Sequence, residues 1–187
     1  MRLQLAALLL CLLPYTVHAE LSFEQLEGIT NNPTSLEGLF VQEKYLSALD
    51  ASFISSGRFS YQRGVAVRWE TLEPIQSEML MTPEAISNTQ DGRELMRMET
   101  KSNPAVTLFN EIFFSVLTAE WGKLSAYFKL SGKVADGRWQ AELAPVDKTV
   151  KQIVSRVELK GEALVHEIVL YESSGDRTTI HFKNLNR

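Results

Sequence analysis

The sequence holds one cysteine in 187 residues, with three histidines and six prolines. That cysteine, Cys11, lies inside an N-terminal apolar run, so a disulfide framework is excluded and the chain beyond the run has no thiol chemistry. Charge of one sign is also scarce. Nineteen basic and twenty-three acidic residues leave a net charge of -4, which gives no basic face of the kind nucleic acid requires. His166 and His181 stand at no metal-ligand spacing with another histidine or a carboxylate. The chain has no G-x-S-x-G elbow, no phosphate loop and no H-E-x-x-H pair. The expectation is a protein that is not an enzyme and needs neither metal nor cofactor. No segment after the N-terminal run approaches the roughly 20 apolar residues that cross a bilayer as a helix.

What is present begins with an export signal. Arg2 supplies a positive charge, Leu3 to Leu13 is apolar except for Gln4, Pro14 breaks the run, and Val17-His18-Ala19 has small residues flanking one position. This is the anatomy of a secretory signal peptide. Cleavage after Ala19 is expected, leaving a single domain from Glu20 to Arg187 that travels to the periplasm. A lipidated start at Cys11 fits poorly, because Leu8, Leu9 and Leu10 stand where small residues belong.

The rest reads as strands with a few helices. Ser22 and Gln25 have capping-box spacing ahead of a helix to about Thr30. Strands are expected at Leu39–Leu46, Phe53–Gln62, Val65–Glu70 and Ser77–Thr82, with a break or bulge at Gly64. Ala85–Glu99 reads as a hairpin turning at Asp91-Gly92. Asn103-Pro104 opens one long helix, ending near Trp121-Gly122, with Val106, Phe109, Ile112, Phe113, Val116 and Leu117 as its apolar stripe. Strands return at Leu124–Val134, Arg138–Leu143, Val150–Leu159, Ala163–Glu172 and Arg177–Lys183. Turns are expected at Asp136-Gly137, Lys160-Gly161 and Ser174-Gly175-Asp176. The sum is eight to eleven antiparallel strands.

Two features go beyond a plain core. From Arg63 to Glu70, Val65, Val67 and Trp69 share one face of a regular strand. Arg63 then falls at the edge of that inward face, unless a bulge at Gly64 returns it to solvent. The second feature is surplus apolar surface. Met79, Met81, Met96 and Met98 cluster on two adjacent predicted strands beside Leu80 and Leu95. Methionine suits a surface that must fit varied apolar shapes, so the pattern describes either core or a lipid cavity under the long helix.

Through most of the chain beyond the signal peptide, the sequence resembles the LolA type of periplasmic outer-membrane lipoprotein carrier. Phe40-Val41-Gln42 is similar to the family's F-x-Q. Arg63, Trp69 and Pro74 match R-x5-W-x4-P, Asn103-Pro104 opens a helix where the family has one, and Trp139, Leu143 and Pro145 match W-x3-L-x-P. Val150 to Ile153 resembles the strand that follows. The resemblance implies an incomplete, strongly curved antiparallel β-barrel closed by helices. It implies acyl chains of lipoproteins or a related lipid as ligand. It also implies an inner-membrane release complex and an outer-membrane receptor as partners. A monomer is expected. Arg63 matches an arginine that hydrogen-bonds the lid and controls release. Val67, Trp69 and Met79 fall on cavity-lining positions, and Val65, Met81, Met96, Met98, Phe109, Phe113 and Leu117 complete the candidate cavity. Around Asp91-Gly92 the aromatics usual in the family are replaced by Met and Arg, which suggests a relative handling another lipid. A lipid-sensing regulatory module on the same half-barrel is the alternative.

Overall fold

The computed structural model describes residues 21–102 and 104–187. The expected signal peptide and the Asn103 cap lie outside the described residues. Helix α1 (Phe23–Ile29) starts on the capping box: Ser22 accepts from the Gln25 N–H and the Gln25 side chain accepts from the Ser22 N–H. Six strands follow: β1 (Ser35–Leu46), β2 (Ala51–Gln62), β3 (Ala66–Glu73), β4 (Ser77–Met81), β5 (Ala85–Gln90) and β6 (Arg93–Glu99). A 3-10 turn, Thr100–Ser102, leads into α2 (Pro104–Thr118) and α3 (Trp121–Leu124). Then come β7 (Phe128–Ala135), β8 (Arg138–Pro145), α4 (Lys148–Ile153), β9 (Val154–Gly161), β10 (Val165–Glu172) and β11 (Arg177–Asn186).

All eleven strands form one sheet in the order β6-β5-β4-β3-β2-β1-β11-β10-β9-β8-β7. Every pairing is antiparallel, and the long-range β1–β11 pairing joins the two halves. The sheet is curved but does not close, because β6 and β7 stand at opposite ends of the order. The expected incomplete, helix-covered antiparallel half-barrel is the fold.

Alternation divides the sheet into two faces. On the inner face Phe40, Phe59, Tyr61, Val67, Trp69, Trp139, Leu143, Leu159 and Phe182 are buried. The outer face carries cross-strand ion pairs: Arg58 with Glu70, Arg68 with Glu78, and Lys160 with Glu167. Exposed pairs of this kind stabilise little, and apolar side chains such as Leu39, Ile54 and Leu95 stand exposed on the same face.

Several boundaries differ from the expectation. Arg63 to Val65 is a tight turn, not a bulged strand: Val65 N–H donates to the Gln62 carbonyl at 3.1 Å and Gly64 has a φ of +70°. Helix α2 stops at Thr118, where Ala119 at φ +56° turns the chain into α3. The expected strand from Leu124 therefore begins four residues later. The expected strand from Val150 begins with α4 instead, because Asp147 accepts from the Thr149 and Val150 N–H groups and caps a helical turn that buries Val150. The turn assigned to Lys160-Gly161 falls at residues 162–164, since Gly161 still belongs to β9.

Candidate functional site

The inner face of the sheet is roofed by three helices held in different ways. Helices α1 and α3 are tied by polar contacts. Trp121 Nε1 donates to Thr30 Oγ1 at 2.7 Å, and Gly122 N–H donates to Glu27 Oε1 at 2.7 Å. The Trp121 ring meets Trp139 of β8 edge-on at 5.5 Å, and Asn31 N–H donates to the Ala163 carbonyl at 2.7 Å. Helix α2 covers the β2–β4 side mainly through apolar side chains. Phe113 meets Trp69 edge-on at 6.2 Å and Phe114 meets Tyr61 at 6.1 Å. Side-chain hydrogen bonds also hold α2: Asn110 Nδ2 donates to the Thr82 carbonyl at 2.6 Å, Thr107 Oγ1 to the Thr100 carbonyl at 2.7 Å, and the Tyr127 hydroxyl to Glu111 Oε2 at 2.8 Å. The last third of α2 is buried on all sides, while Phe109 and Glu111 are exposed.

Beneath α2 an aromatic cluster fills the face. Phe40 stacks on Trp69 at 3.9 Å, and Phe59 and Phe182 pack around the same indole. Gly57 makes this possible: a Cβ there would lie 1.9 Å from the Glu70 carbonyl oxygen and 2.9 Å from the Phe40 ring. Next to the cluster comes the methionine floor. Register places Val67, Met81, Ile86 and Met98 in one row and Trp69, Met79, Asn88 and Met96 in the next. The four methionines share the inner face, but they sit on β4 and β6 with β5 between them. This corrects the expectation of two adjacent strands.

Placed individually, Val67, Trp69, Met81 and Leu117 are buried, and Met79, Met98 and Phe113 are half-buried against the core. Met96 and Phe109 are at the rim, 38% and 47% exposed, with Phe109 stacked on Phe113. Val65 does not join them. It lies in the turn before β3 and is 52% exposed, so the regular-strand assumption that put it on the inner face fails at Gly64.

Arg63 occupies the same turn. Its guanidinium donates to the Asn32 carbonyl at 2.8 Å, to the Asn32 side-chain oxygen and to the Pro33 carbonyl at 2.9 Å, while its N–H donates to the Thr34 carbonyl. Its partners thus lie in the tether that connects α1 to β1. The neighbouring Tyr61 phenol is pushed above its ordinary pKa chiefly by burial, with the Arg63 guanidinium acting the other way.

The end of the inner face remote from Arg63 is more polar. Lys44 of β1 pairs with Glu172 of β10, and Gln42 and Ser55 lie one row inward. The arrangement is an apolar bed covered by α2, with the Lys44–Glu172 ion pair at its far end. Among the described residues no group of three or more His, Cys, Asp or Glu could hold a metal ion. Two residues escaped the reading of the sequence: Asn110, four residues after Val106 and within the α2 stripe, and Asn88, two residues after Ile86. Polar interruptions of an apolar period were the available signal.

Residues 31–187 match the family model described as outer membrane lipoprotein carrier protein LolA. The chain belongs to the LolA family. No curated protein is similar enough in sequence to match. Among solved structures, a LolA superfamily protein from Nitrosomonas europaea is 11% identical, with a TM-score of 0.46 over 88% of this chain and 90% of that one. A putative outer membrane lipoprotein-sorting protein domain from Vibrio parahaemolyticus is 10% identical, with a TM-score of 0.42 over 88% and 90%. The MucA/MucB complex of Pseudomonas aeruginosa contains a chain 17% identical, with a TM-score of 0.42; this chain covers 54% of its length.

Proposed function

We propose that the protein is a periplasmic carrier that binds the acyl chains of lipoproteins or a related lipid between the sheet and α2 and transfers them from the inner to the outer membrane. The observation that carries this reading is the roof itself. Phe113 and Phe114 of α2 meet Trp69 and Tyr61 of the inner face, while its side-chain hydrogen bonds to Thr100, Thr82 and Tyr127 lie beside that apolar contact. An acyl chain can replace the apolar contacts one for one. Family membership and the export pattern from Arg2 to Ala19 support the same reading.

Burying a methylene contributes about 0.8 kcal/mol, so a sixteen-carbon chain gains on the order of 12 kcal/mol. Release requires an opposing term. Closing α2 back onto Trp69 restores the apolar contacts that loading breaks and so lowers the net affinity. Arg63 fixes the tether of α1 and sets how readily the roof reopens. An amphiphile would leave its head group at the Lys44–Glu172 ion pair. The test is extraction of protein purified from the periplasm with organic solvent, followed by mass spectrometry. Recovery of an acylated lipid in near-stoichiometric amount is expected. No lipid, together with no binding of palmitic acid by the stripped protein, would overturn the proposal.

A further inference from the structure

Two carboxamides interrupt the apolar site, and a simple hydrocarbon chain gives neither of them a partner. Asn110 lies within the inward stripe of α2 and is 6% exposed. Its Nδ2 faces the Thr82 carbonyl, so the amide orientation is fixed and Oδ1 is the atom left over; it has no hydrogen-bond partner. Asn88 lies on the floor between Met79 and Met96, and its Oδ1 is likewise enclosed and unpartnered. Both atoms are acceptors. Leucine, nearly the same size, would complete the bed without the penalty that an enclosed, unpaired acceptor carries.

Asn110 belongs to the roof and Asn88 to the floor. They are set near one stretch of β4 and β5: Asn110 reaches Thr82, beside Ala85, and Asn88 is three residues along β5, roughly 10 Å. A ligand that lies along this stretch passes both oxygens. Resting on the carrier reading, we propose that the acyl part of the cargo carries its own hydrogen-bond donor, which the Asn110 and Asn88 side-chain oxygens accept. The donor is either a hydroxyl on the chain or the N–H of an acyl amide.

The experiment titrates the stripped protein, preloaded with a fluorescent fatty acid, with palmitic acid, its β-hydroxy derivative and N-palmitoylglycine. One of the two donor-bearing chains should displace the probe about fivefold more effectively than palmitic acid, and which one does so identifies the source of the donor. Asn110→Leu and Asn88→Leu should each bring that ratio close to unity; if one variant does not fold, the other reads the same ratio. Equal competition by all three ligands would overturn the inference and leave the carrier reading standing. A preference that survives in the folded variants would also overturn it. Failure of every ligand to displace the probe, or of the probe to bind, would overturn both.

Discussion

Phe113→Ala separates a roof that competes with cargo from one that merely covers it. Phe113 is half-buried, meets Trp69 edge-on at 6.2 Å and stacks on Phe109 at 5.9 Å. Truncating a fully buried phenylalanine costs about 3 to 5 kcal/mol, and half-burial scales this to about 2 kcal/mol. If α2 leaves Trp69 when a chain enters, the loaded state does not contain that contact and is spared most of the loss. The closed, empty state bears it alone. The equilibrium then moves toward loading by as much as about thirtyfold, since 1.4 kcal/mol is a factor of ten. Urea unfolding of the stripped protein should report the lower stability, and titration with a fluorescent fatty acid should report tighter binding. A variant that is less stable yet binds no more tightly, or binds more weakly, would refute the competition between α2 and cargo.

Three further outcomes follow from the geometry. Gly57→Ala places a Cβ 1.9 Å from the Glu70 carbonyl oxygen, so the β2–β3 pair must separate; denaturant melts should show a loss of at least about 3 kcal/mol, and a loss below 1 kcal/mol would mean that the strands yield easily. Trp121→Phe removes the Nε1 bond to Thr30 and thins the contact with Trp139; about 2 kcal/mol should be lost in the same assay, with α1 amides losing hydrogen-exchange protection first. Arg63→Leu removes the donors to Asn32 and Pro33; loading should persist while transfer between donor and acceptor vesicles slows, and unchanged transfer would deny Arg63 a part in release.

Much of the fold is written locally. The Ser22–Gln25 capping box, the Asp91-Gly92 and Asp136-Gly137 turns with positive φ at both residues, and the alternation of Trp139, Ala141 and Leu143 all act within a few residues, and each stands where the pattern indicates. What escaped depends on length or distance. Helix α3 is too short to display a period. Val150 and Ile153 have strand propensity, which the Asp147 cap overrides for a short helix before β9 begins at Val154. The union of the two halves rests on β1 meeting β11, far apart in sequence, and no local signal encodes it. The site was legible to the same degree. Val67, Trp69 and the methionines could be assigned to one face by alternation, but their rows appear only once β5 is set between β4 and β6. Arg63 could be marked as an oddity, whereas its partners in the α1 tether depend on where that tether crosses.

The methionines allow the most direct test. Apart from Met1, the four in the sequence are Met79, Met81, Met96 and Met98, all on the inner face. Methyl-labelled methionine therefore gives four NMR signals from the floor under α2. Loading with a fatty acid that carries a spin label on its chain should broaden Met79 and Met81 most and should also affect Met96 and Met98. Binding that leaves all four signals sharp and unshifted would place the chain elsewhere and contradict the account.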